Sequence, residues 1–172
     1  MRSHGVKRCK MYGVWCIVAS VLLLCACEGT TFQSSVPAYP VRVVIDTRMG
    51  AFVHFQPTDM GTYVVANRAG YYLNNQWVSA SSAMDAYGYG GVVVFVGAFG
   101  YDAYDMACPN CAEKGSCKTC KINGARAVCP HCSEEYDLLS GTAVPQKGIA
   151  HEAMRKLNIT NSDGRLTVTQ RQ

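Results

Sequence analysis

The sequence predicts an all-β fold, an antiparallel sandwich or small barrel, behind an export segment. Three observations predict it. The body has no helical stripe of apolar residues. Short runs rich in Val, Tyr and Thr recur along it instead. Turn signals separate those runs: RMG, DMG, NRAG, GYGG, NG, SG and NSDG.

Taken in order, the strand-like runs are VRVVID (42–46 and its flanks), TYVVA (62–66), YYLNNQWVSA (71–80), GVVVFVGAF (91–99), YDAYDMA (101–107), ARAVC (125–129), EYDLL (135–139) and RLTVTQ (165–170). Residues 101–106 alternate in part, as a half-buried strand does. Val92 to Val96 is continuously apolar and reads as a central strand covered on both faces. HEAMRKL (151–157) suits a helical turn by propensity or a further strand, and so short a helix gains little alone. No repeat of 20–50 residues is present.

The chain has 172 residues, enough for one domain, and 49% of them are apolar, so an ordinary core is available. Its formal charge of +4 comes from Arg2, Lys7, Arg8 and Lys10. From Cys27 onward basic and acidic residues balance at 12 each, which argues against a nucleic-acid footprint. Residues 1–26 read as a signal peptide, with a positive start and an apolar run too short for a spanning helix. That run ends in LCAC, Leu24 to Cys27, which resembles a bacterial lipobox. The resemblance implies cleavage before Cys27 and lipid on its sulfur, hence a membrane partner through the anchor. The expected location is the bacterial cell envelope, with the outer membrane as the expected side. Residues 27–39, rich in Gly, Ser, Thr and Pro, read as a tether, and 40–172 as the β domain, with a metal-binding subdomain at about 105–148.

Six cysteines remain after the signal and the anchor. Cys108, Cys111, Cys129 and Cys132 give C-x₂-C-x₁₇-C-x₂-C, inside the spacing window of a four-cysteine metal site. Two intervening residues let a tight turn aim both sulfurs at one point, and two such turns make a tetrahedral pocket. Pro109 and Pro130 stiffen both turns. Zinc fits such a pocket, and the same thiolates can hold a [2Fe–2S] cluster. Disulfides are the competing reading for an exported chain. Cys117 and Cys120, among Lys114, Lys118 and Lys121, are a local disulfide, extra ligands or a redox-active dithiol. His54 and His151 read as surface histidines, and no Ser/His/Asp set stands out. The ten tyrosines suit sheet packing more than a sugar-binding face.

GGVVVFV from Gly90, YDAYDMACP from Tyr101 and CPHCSEEYDLLSGTAVPQKG from Cys129 together resemble the Rieske iron–sulfur domain, in a lipoprotein branch of that group. The segment MRKLNITNSDGRLTVTQ resembles its closing hairpin. The resemblance implies a β fold with a two-loop tip holding a [2Fe–2S] cluster, and an electron-transfer module rather than a complete enzyme. Where the family carries histidines, this chain has Asn110 with Cys111 one place later, and Cys132; His131 is one place out of register. Two thiolates in place of two imidazoles would pull a cluster from the Rieske range of about −150 to +300 mV toward about −400 mV. A closed four-cysteine zinc shell would be structural only. The expectation leans to a metal-stabilised, non-catalytic module, with electron transfer and a disulfide-stapled surface protein as alternatives. Loss of these cysteines is expected to melt the tip and spare the sandwich. The sequence names neither a redox partner nor a surface ligand.

Overall fold

The computed structural model describes residues 34–116, 118–147 and 152–171, and the signal peptide, Cys27, Cys117 and His151 lie outside them. Thirteen strands alternate with tight turns: β1 Val41–Asp46, β2 Tyr63–Asn67, β3 Gly70–Leu73, β4 Gln76–Ser79, β5 Ala86–Tyr87, β6 Val92–Gly97, β7 Gly100–Asp105, β8 Lys121–Asn123, β9 Arg126–Val128, β10 Glu135–Asp137, β11 Pro145–Lys147, β12 Asn158–Ser162 and β13 Arg165–Thr169. Besides these strands, the described residues hold a 3₁₀ turn, Gly50–His54, and one short helix, α1, Pro109–Glu113.

The strands form three antiparallel sheets in the orders β12-β13-β1-β5, β4-β3-β2-β6-β7 and β11-β10-β9-β8. The all-β antiparallel class is as expected, with a third layer added to the sandwich. The reason lies in strand alternation. On β2 and β6, Val64, Ala66, Val92, Val94 and Val96 face one core with Val43 and Ile45 of β1 and Leu166 and Val168 of β13. Tyr63, Val65, Val93 and Phe95 face the opposite core with Ile122, Ala127 and Tyr136 of the third sheet. All six residues of β6 are buried, as its unbroken apolar run requires.

YYLNNQWVSA folds as a hairpin, β3 to β4, not as one run. Asn74 and Asn75 both take positive φ, 46° and 68°, which is what a two-residue turn matched to strand twist needs. The KING run becomes β8 and its turn, and pairs with β9. The closing hairpin is β12 to β13. HEAMRKL is neither helix nor strand over its described residues. It is a strap: Met154 is buried in one core and Leu157 in the other, tied by Met154 N–H to Ala143 O at 3.0 Å and Leu157 N–H to Ala103 O at 2.8 Å. Of the segment expected as tether, residues 34–39 lie against the body. Val36 is fully buried, Arg155 donates to its carbonyl at 2.8 Å, and Tyr39 stacks on Tyr89 at 5.4 Å.

One buried carboxylate fixes where the first cysteine loop leaves the sheet. Asp105, the last residue of β7, accepts N–H bonds from Tyr89 at 2.7 Å, Gly90 at 2.8 Å and Ala107 at 2.9 Å. It thereby clamps the GYGG turn to the residue before Cys108. Gly90 packs so closely on the Ala107 backbone that any side chain there would collide with it. Asp105→Ala strands three N–H donors in a buried place, so chemical denaturation should show a loss of about 1–3 kcal/mol. A loss below a few tenths would mean that water or another group serves those donors.

Candidate metal centre

Each cysteine loop is built around a proline-stiffened turn. Cys108 caps α1, with Pro109 at its first position, where a missing N–H costs nothing. The turn brings the Cys111 amide back onto the Cys108 sulfur. The second loop repeats the device: the amides of His131 and Cys132 point at the Cys129 sulfur, and Ser133, at φ 60°, turns the chain back so that Cys129 donates to Glu134 O at 2.9 Å. Both loops thus aim a pair of sulfurs outward from a fixed point.

The two pairs meet. The sulfurs of Cys108, Cys111, Cys129 and Cys132 all lie within 4.8 Å of one another. Cys108 and Cys132 approach to 3.5 Å, and Cys111 and Cys129 to 3.7 Å, both contacts crossing between loops. No disulfide joins the described cysteines: these five thiols are free, and their contacts far exceed the ~2.05 Å of an S–S bond. Four sulfurs around one ion at ~2.3 Å sit ~3.8 Å apart along each tetrahedral edge. The observed spacing fits that figure. A two-iron cluster would put the ligands on two ions and spread the sulfurs of different irons further apart. The four sulfurs can hold a metal ion or an iron–sulfur cluster.

The centre is not a detachable tip. Cys108, Cys111, Cys120 and Cys129 are buried within the same core as Tyr63, Phe95 and Met154, and Cys132 packs at its margin. Spacing alone suggested a loop pair with little to bury. In the folded chain the sulfurs themselves are core atoms, filling the space between the central sheet and the third sheet. Removing them should therefore loosen that whole layer and leave the other core, under β1 and β13, in place.

Four further side chains surround the sulfurs. Tyr136, fully buried on β10, places its hydroxyl 3.4 Å from the Cys108 sulfur. Cys120 lies buried beside Cys108, held by antiparallel bonds of Cys120 N–H to Met106 O and Cys108 N–H to Lys118 O, both 2.8 Å. Asn110 and Glu134, both buried, bond across the two loops at 3.4 Å. The lysines expected to favour a thiolate at Cys120 do not: donation to Cys108, then burial, push its thiol up. That same donation, followed by those of Tyr136 and the Cys111 amide, holds Cys108 down at about 4 against the opposing effect of burial. Burial raises Cys111 and Cys129. Cys120 is thus a neighbour of one ligand sulfur and stands outside the converging four, while Cys117 lies outside the described residues. His131 and His54 are exposed, and His131 takes no place among the sulfurs.

No family model matches the chain. No curated protein matches it either. Among solved structures, a chain from the complex of reduced oxygenase and oxidized ferredoxin in carbazole 1,9a-dioxygenase is similar at 13% identity. The similarity covers 77% of this chain and 94% of that one, with a TM-score of 0.42.

The thiol environments set a pH dependence. In the metal-free protein Cys108 is already a thiolate at neutral pH, whereas Cys111 and Cys129 carry protons that an ion must displace. Affinity should rise steeply with pH through neutrality. Because burial raises both groups, the rise should continue beyond about pH 8.5, where an ordinary thiol would level off. Chelator competition for zinc from pH 6 to 9.5 measures this; a plateau at or below pH 8.5 would contradict the assignment.

Proposed function

We propose that this is a lipid-anchored protein of the bacterial cell envelope whose four-cysteine centre holds one zinc ion as an internal cross-link. The observation that carries the metal part is the convergence of four free sulfurs from two loops, all within 4.8 Å. The anchor part rests on the signal segment and on LCAC ending at Cys27. In this reading Cys108, Cys111, Cys129 and Cys132 are the ligands, and the closed shell leaves no position for substrate. The ion supplies charge neutralisation: four clustered thiolates, three of them buried, cannot stand together without a cation. An apparent zinc binding energy of ~10–16 kcal/mol is large enough to tie the two loops together within the core that holds the sulfurs. The protein then acts through its surface, as a non-enzymatic module held at the membrane.

One observation favours a second reading, electron transfer through an all-cysteine [2Fe–2S] cluster. The Tyr136 hydroxyl directed at the Cys108 sulfur is the kind of contact that tunes a cluster's potential. It agrees with the Rieske-like motifs from Gly90 to Gly148. The compactness of the sulfur set weighs toward the single ion.

Protein prepared without oxygen should contain about one zinc per chain and no visible absorption. About two irons per chain, with sulfide and a brown colour, would replace the zinc reading with the cluster. Neither metal after reconstitution would remove both.

A further inference from the structure

The same four sulfurs are placed to do something that metal binding alone does not require. Their contacts of 3.5 Å, Cys108 to Cys132, and 3.7 Å, Cys111 to Cys129, both join one loop to the other. Three of the four are buried, and only Cys132 reaches solvent. A disulfide within either turn would close a very small ring and constrain the unfolded chain little, whereas a bond between the loops closes a longer one.

We propose that the centre is a peroxide-responsive switch: oxidation enters at Cys132, joins it to Cys108, and releases the ion while the loops stay tied. This rests on the metal reading above. The electrons balance as follows. The Cys132 thiolate attacks one oxygen of hydrogen peroxide, the O–O bond breaks, and a sulfenic acid and hydroxide result. The Cys108 thiolate then attacks the Cys132 sulfur and expels a second hydroxide as the S–S bond forms. The two sulfurs lose two electrons, the peroxide gains two, and two protons convert the hydroxides to water. With half its ligands gone the ion leaves. A second peroxide joins Cys111 to Cys129 in the same way. Cys120 lies beside Cys108 but is buried, so it does not compete for the entry step.

The fold built around this centre makes the connectivity the decisive readout. Zinc-loaded protein is titrated with hydrogen peroxide, released zinc is followed with a chromogenic chelator, and disulfides are mapped by peptide mass spectrometry. The expected result is full release at about one peroxide consumed per chain, with Cys108–Cys132 as the first disulfide and Cys111–Cys129 as the second. Cys132→His keeps a three-cysteine, one-histidine zinc shell and removes the entry thiol, so its zinc should leave at least about tenfold more slowly. Cys120→Ala should still give Cys108–Cys132 as its first disulfide. Disulfides within the C-x-x-C turns, a first disulfide through Cys120, or parent-like release from Cys132→His would overturn the proposal. If the parent binds no zinc at all, the metal reading fails separately, and the disulfide map of the metal-free protein still decides the pairing.

Discussion

Four sulfurs crowded into a dry pocket cannot all be anions, and they cannot all keep their protons without wasting the convergence. Everything around them is arranged to settle that conflict. Pro109 and Pro130 hold each turn so that amides point at the Cys108 and Cys129 sulfurs, Tyr136 and Cys120 turn their hydrogens toward Cys108, and Asp105 fixes where the first loop leaves the sheet. These are donors offered to negative charge. A metal held by the four sulfurs would complete that arrangement.

The central sheet gives the constraint its reach. Because β2 and β6 alternate between two cores, a change on the cysteine side is transmitted to one face of β6 only: Val93 and Phe95 feel it, while Val92, Val94 and Val96 remain packed on β1 and β13. The two layers share a strand yet bury different residues. This division, rather than one between body and tip, decides what survives loss of the centre.

How much of this was legible in the sequence depended on the range of the contact involved. The continuous apolar run of β6 and the NSDG hairpin are local patterns, and they appear where they were expected. The C-x-x-C pairs were legible because two intervening residues dictate a turn wherever it occurs. That the pairs meet is a matter of tertiary placement, made plausible by spacing and decided by the fold. Tyr136 looked like one tyrosine among ten. Only the pairing of β10 with β9 brings its hydroxyl to a sulfur 28 residues earlier. Cys120 looked like half of a lysine-rich dithiol, and its role came instead from backbone bonds between residues 118–120 and 106–108. Asn110 stood out only as the residue in a family histidine position and Glu134 carried no signal, since polar residues in a loop are expected at the surface and these are buried against each other. HEAMRKL was open between a helical turn and a strand; two side chains anchored in two cores outweigh the weak helical preference of a seven-residue segment, and Lys156 makes an isolated antiparallel bridge to Tyr104.

X-ray absorption at the metal edge tests the central claim most directly, because it counts ligands and neighbouring metals without needing crystals. The account predicts one shell of four sulfurs at ~2.3 Å and no metal neighbour. A second metal within the first few ångströms, or nitrogen and oxygen in place of any of the four sulfurs, would contradict it.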